Sequence, residues 1–200
     1  MRGIAAGILA SLALCALVAW PAMTEACVGK TLYLGRMPGM EQEILAELFV
    51  WLVSERTGTS IEIKTLPDSR ASHSALEKAK IDLYLEEPFV ALRDVLDEKG
   101  VSGGGDDVRQ RLRREYEERY NLIWLEPWGF DGKAGGGGAV SKVAPVVRRD
   151  TLKKFPALSR LVNKMAGVLD NQAMELLLAE SANEPVRQVT KKFLKQKKLI

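Results

Sequence analysis

The chain has 200 residues, of which 46% are apolar and 28% charged, with a formal net charge of +3. That balance excludes wholesale disorder and leaves room for one good-sized domain or two small ones. So small a charge argues against a dedicated nucleic-acid binder, which would carry a clustered basic face.

The first 26 residues read as a separate object. Arg2 supplies a short positive start, Ile4 to Trp20 is an apolar stretch, and Pro21 breaks it. Thr24-Glu25-Ala26 then offers small residues at the −3 and −1 positions of a cleavage site. The apolar stretch is rich in Ala and barely reaches the ~20 residues a membrane span needs. Residues 1–26 are therefore expected to be a signal peptide, with the remainder exported to the periplasm or cell envelope. Of the two cysteines, Cys15 lies in this leader, so its removal leaves Cys27 alone and no intrachain disulfide. Cys27 directly follows the cleavage point, but Glu25 stands where a lipid-attachment motif has a small residue. A free N-terminus and a lipid anchor on Cys27 both stay open.

Lys30 to Gly35 is a short β-branched and aromatic run, a strand by pattern. From Glu41 the spacing changes: Ile44, Leu45, Leu48, Trp51 and Leu52 recur at helical steps until Gly58 offers a C-cap. Ser60 to Leu66 alternates as a strand, Asp68 or Ser69 caps a helix to about Lys80, and Ile81 to Leu85 is a third strand. Phe89 to Lys99 reads as a third helix, followed by a flexible break at Val101-Ser-Gly-Gly-Gly. Asp107 to Tyr120 predicts a charged helix with Leu112, Tyr116 and Tyr120 inward, and Asn121 to Trp128 a strand ended by Pro127. Asp131 to Lys142 is Gly-rich coil, long enough for a span of roughly 20 Å but not for a domain. Val143 to Arg148 resumes as a strand, and helices follow at Thr151–Ala166, Asn171–Glu180 and Glu184–Lys198. Strands alternating with helices point to an α/β fold, a largely parallel sheet with helices packed over it.

Catalytic chemistry has little to work with. His73 is the only histidine and is expected on the polar side of its helix, solvated; metal sites need several ligands at set spacings. Cys27 has no neighbouring base. Glu86 and Glu87 could suggest an acid/base pair, but adjacent carboxylates at a strand end point to opposite faces. Gly135 to Gly138 lacks the lysine and hydroxyl of a phosphate loop. An enzyme is not expected, and no cofactor or metal is. The lysines at 191, 192, 195, 197 and 198 are expected to complement a helix dipole and keep the surface solvated, not to bind nucleic acid or membrane.

Several segments carry a resemblance. Glu41 to Leu48 (EQEILAEL) is one, Ile81-Asp82-Leu83-Tyr84 followed by Glu86 another. Tyr120 to Phe130 (YNLIWLEPWGF) and Val143 to Arg148 (VAPVVR) with the helices after it complete a collinear set over most of residues 30–200. Together they resemble the substrate-binding proteins of ABC importers for glycine betaine, choline and proline betaine. In that family two α/β lobes close over a solute and are joined by two crossing strands, which here look like Trp124–Gly129 and Val143–Val147.

The resemblance implies a single lobe of a type II periplasmic-binding-protein-like fold. Residues 27–130 would form its first part, 131–142 a linker standing in for the second lobe, and 143–200 the strand and helices that complete it. It also implies a non-catalytic importer component, with a small quaternary ammonium solute and an ABC permease as partners. The membrane would be reached only through that partner or through lipid on Cys27. A quaternary ammonium is held by aromatic faces. The residues implied at the cleft edge are Arg36, Met37, Tyr84, Glu86, Glu87, Phe89 and Trp128, with Phe130 beside them. For Tyr84, Phe89 and Trp128, ordinary packing at the sheet's end is the competing expectation. The motifs depart from the family at Arg36–Met40 and Glu87–Val90, where polar and aromatic positions are lost and an exposed Glu87 takes the place of a tyrosine. An alternative therefore stands: an exported interaction module contacting a partner lobe or permease, which a contiguous apolar patch at Phe89, Trp128 and Phe130 would support.

Overall fold

The computed structural model describes residues 30–98, 105–132 and 141–200. The leader, Cys27, the break at 101–104 and the glycine run 135–138 lie outside the described residues. Strand β1 (Thr31–Arg36) is followed by α1 (Met40–Thr57), β2 (Ser60–Thr65), α2 (Ser69–Glu77) and β3 (Leu83–Glu86). Next come α3 (Pro88–Val90), which runs into a π-helical turn (Ala91–Val95), then α4 (Gly105–Tyr120) and β4 (Leu122–Trp124). After the Gly-rich segment come β5 (Ala144–Arg148), α5 (Arg149–Lys154), α6 (Leu158–Val162), α7 (Asn171–Ser181) and α8 (Val186–Gln196).

One five-stranded sheet in the order β2-β1-β3-β5-β4 organises these elements. β1 pairs in parallel with β2, Thr31 opposite Ser60, and with β3, Leu34 opposite Leu83. β5 runs antiparallel to both β3 and β4. Four strands thus point one way and β5 returns between two of them. The return has a local cause. Beyond β4 the chain stays paired with its partner: Leu125 N–H donates to Pro145 O (2.9 Å), Trp128 N–H to Val143 O (3.0 Å) and Gly132 N–H to Ser141 O (2.9 Å). A segment whose ends are hydrogen-bonded neighbours can only lead back antiparallel.

Helices cover both faces. On one, Leu32 and Leu34 of β1 meet Ile44, Leu45, Leu48, Phe49 and Leu52 of α1, with α6, α7 and α8 and with Trp128 and Phe130 packed around them. The helical spacing of α1 dictates this stripe, and Gly58 ends it in the left-handed conformation (φ 67°), its N–H on Ser54 O at 2.9 Å. On the other face, Leu76 of α2, Phe89, Leu92, and Leu112 and Tyr116 of α4 pack over Tyr84, Trp124 and Val146. Asp68 caps α2 by accepting from Ala71 N–H (2.7 Å).

Three expectations change. His73 is buried, 5% exposed, because Tyr116 and Tyr120 of α4 lie edge-on to its ring at 5.1 and 4.7 Å. β2 is an edge strand exposed on both faces for most of its length, so its alternation does not half-bury it. The stretch read as one helix over Thr151–Ala166 is broken at Phe155, before Pro156, into α5, α6 and a 3₁₀ turn (Asn163–Met165). The lysine-rich end docks as expected of a solvated helix. Lys191 pairs with Glu55 (3.2 Å) and lies 3.7 Å from the Trp51 ring centre, and Lys192 pairs with Glu180 (3.5 Å). Among the described residues no helix is long and apolar enough to cross a membrane.

Candidate ligand face at the strand ends

The carboxyl ends of β1 and β3, the end of β4 and the start of β5 meet on one side of the lobe. In open α/β sheets this is where ligands bind. Arg36 ends β1, but its guanidinium is tied to the frame: one nitrogen lies 3.4 Å from Glu43 of α1 and another donates to Thr65 Oγ1 of β2 at 3.4 Å. Met37 follows it, half-buried.

At the end of β3 the two carboxyl groups diverge. Glu86 is 1% exposed, accepts from Ser69 Oγ at the start of α2 and from the Glu87 N–H (2.9 Å), and burial pushes its carboxyl up to about 8. It is largely a neutral acid at pH 7. Glu87 is also buried, 5% exposed, where an exposed carboxylate was expected. The cause lies in the Gly-rich segment's two ends. Ser141 Oγ donates to Glu87 Oε1 (3.3 Å) and accepts from Phe89 N–H (3.3 Å). Gly132 sits so close that a Cβ there would stand 2.2 Å from Glu87 Oε2. Glu87 is therefore roofed by the residues where that segment departs and returns.

The aromatic candidates do not converge. Tyr84 (1% exposed) and Phe89 lie in the core under α2, α3 and α4, whereas Trp128 and Phe130 are buried in the opposite core. The apolar surface patch expected of Phe89, Trp128 and Phe130 does not form, because each is covered by helices or by the chain's own return. What opens at the strand ends is a cavity of about 210 Å³ lined by Pro88, Asp106, Arg109, Pro127, Asp131, Ser141 and Lys142. Its charges alternate. Arg109 pairs with Glu126 (3.2 Å) and Asp106 (3.5 Å), and Lys142 donates to Gly129 O (2.8 Å) and lies 3.6 Å from Asp131. Asp131 and Asn171 of α7 bond reciprocally, at 2.7 and 2.8 Å.

The roles of Ser69, Arg109, Gly132 and Ser141 were not singled out from the sequence, since each depends on a partner distant along the chain. Asp82 of the D-L-Y-x-E pattern is a structural clasp. Its carboxylate accepts from Tyr33 N–H and Thr151 Oγ1, both at 2.9 Å, and stands 3.6 Å from Arg148. Among the described residues no group of three or more His, Cys, Asp or Glu is placed to hold a metal ion.

A sheet in this order with its one reversed strand, helices on both faces and a cavity at the strand ends defines an α/β lobe of the periplasmic-binding-protein kind. Two solved structures share the fold. One is described as a glycine betaine/carnitine/choline ABC transporter (TM-score 0.73, 12% identity, 85% of this chain and 98% of that one). The other is apo YehZ from Escherichia coli (TM-score 0.72, 14% identity, 85% and 99%). Residues 118–196 match the family model for the substrate-binding domain of ABC-type glycine betaine transport systems. The carnitine transport binding protein OpuCC of Listeria monocytogenes serotype 1/2a (strain 10403S) is 22% identical over 152 residues, 72% of this chain and 46% of the relative. The chain thus spans about half the length of the curated relatives it matches.

Proposed function

We propose that this protein is an exported, non-catalytic solute-capturing component of an ABC importer, and that its solutes are small quaternary ammonium compounds of the glycine betaine, choline and carnitine class. The observation that carries this reading is the strand-end cavity, flanked by the segments that match the betaine-transport family between residues 118 and 196. In this reading residues 131–142 stand where the relatives carry a second lobe. Support comes from the shorter span of the chain and from the bonded ends of that segment, Gly132 to Ser141 and the Asp131–Lys142 bridge.

The lobe then supplies one wall of a solute site, with Asp106 and Asp131 facing the cation, and the permease or a partner lobe supplies the other. One wall buries far less of a ligand than the 70–90% typical of a closed pocket, so affinity of the isolated chain is expected in the millimolar range. Glu87 is removed from the ligand set in this reading, because Gly132 and Ser141 cover it. The rival reading of an interaction module lacks the apolar patch that would have supported it, since Trp128 and Phe130 are buried.

Calorimetry with glycine betaine, choline, carnitine and proline betaine tests the proposal. Weak saturable heat that Asp131→Asn reduces is the expected result. No heat at millimolar solute, with or without the permease, overturns it.

A further inference from the structure

The strand-end cavity has a counterpart at the other end of the lobe. β1 begins at Thr31, beside Ser60 of β2, and so close to the end of α1 at Thr57. There a space of about 420 Å³ opens between the end of α1 and α6, lined by Arg56, Thr57, Ala157, Arg160, Leu161 and Lys164. Three of the six lining residues are cations and none is an acid. Arg160 of α6 and Lys164 of the 3₁₀ turn that follows it both line the space. Among the described residues neither makes an ion pair. Arg56 lines the space while its Nε donates to Leu199 O (2.7 Å). Thr57 is already committed, its hydroxyl donating to Val53 O (2.8 Å).

Three like charges around one opening repel each other, and an anion between them relieves that cost. Guanidinium forks match phosphate oxygens in pairs, with a lysine as point charge. The remaining lining, Ala157 and Leu161, is apolar, and the space exceeds what a bare ion fills. We propose that this pocket binds a phosphate ester. The group is either the phosphodiester of an anionic lipid or a soluble phosphate monoester. The proposal stands on this pocket alone and does not depend on the solute reading.

The test is binding of the chain to vesicles of phosphatidylglycerol in phosphatidylcholine, to pure phosphatidylcholine vesicles, and to glycerol phosphate, at low and at physiological salt. The expected result is binding to the anionic vesicles that falls with salt and weakens at least about tenfold in Arg160→Glu/Lys164→Glu, given ~1 kcal/mol for each basic residue at an anionic surface. Lys195→Glu/Lys198→Glu, with the same change in net charge at the C-terminal helix, is expected to keep most of it. Binding of glycerol phosphate without vesicle binding, lost in the first double variant only, supports the site with a soluble source. Equal losses in the two double variants would show diffuse charge attraction and overturn it. So would the absence of binding to either probe. Both pairs of residues are exposed, and a thermal melt checks that each variant folds.

Discussion

The two faces of the sheet are built on different principles. Under α1, α6, α7 and α8 the core is mostly aliphatic and aromatic, with Thr190 and Ser181 buried beside it and the Trp128 Nε1 and Glu47 Oε2 buried without a hydrogen bond. Under α2, α3 and α4 the core mixes apolar groups with groups that can ionise or hydrogen-bond. Both His73 nitrogens, the Tyr84 and Tyr116 hydroxyls and the Trp124 Nε1 are buried without a well-formed hydrogen bond, and Glu86 lies among them. Burial raises the Tyr84 and Tyr116 phenols above their ordinary range and lowers His73 to about 4. The first face rests mainly on apolar packing, with the Glu47 carboxyl at its edge raised by burial, and the second carries the larger shifts that make stability depend on pH.

The largest effect is expected on the apolar face. Trp128 is fully buried among α1, α7 and the chain's return. Trp128→Ala should cost about 3–5 kcal/mol, as large-to-small core changes do, read as a lower urea midpoint with unchanged slope. The loss should be the same at pH 5 and pH 8. A pH-dependent loss would break the contrast between the faces.

Glu86 gives the next largest effect and sharpens the contrast. Its carboxyl is raised to about 8 in the fold from an ordinary 4.5, mainly by burial. The folded state therefore holds a proton that the unfolded chain releases. The corresponding stability is fully present below pH 4.5 and is lost as pH rises through the window to about 8. The decline should be on the order of a few kcal/mol. Glu86→Gln, which cannot ionise, should flatten it and be more stable than the parent at pH 8. An unchanged alkaline slope in that variant would remove Glu86 as the cause.

These particulars also show what could be read in the sequence. The periodicity of Ile44 to Leu52 and the glycine at 58 placed α1 because helix and cap are local properties, and the Asp68 cap was legible for the same reason. Which core a side chain enters was not legible. Tyr84 and Trp128 were grouped as one cleft edge, yet they lie on opposite faces, since the face depends on strand pairing and on the path after β4. The burial of Glu87 depends on Gly132 and Ser141, and that of His73 on Tyr116 and Tyr120, residues far along the chain. Local pattern located the candidate positions, and only the tertiary path determined which of them meet solvent.

His73 carries the smallest of the expected effects and probes the same face from the acid side. Its neutral form is favoured by burial under Tyr116 and Tyr120, so its folded value is depressed from 6.5 to about 4. The stability it contributes is present above pH 6.5 and is lost as pH falls toward 4. Glu77, with Oε2 3.6 Å from His73 Nε2 and partly exposed, would favour the protonated ring and moderates that loss. The expected decline is about 1 kcal/mol, discounted for solvent screening around Glu77. His73→Phe keeps the ring packing and removes the titration, so relative to the parent it should gain stability as pH falls from 6.5 to 4.5, on top of the rise that both owe to Glu86. Glu77→Gln should enlarge the His73-linked loss, because the moderating charge is gone. If both variants track the parent, the acid-side loss arises elsewhere, and the mixed face would owe its pH dependence to Glu86 alone.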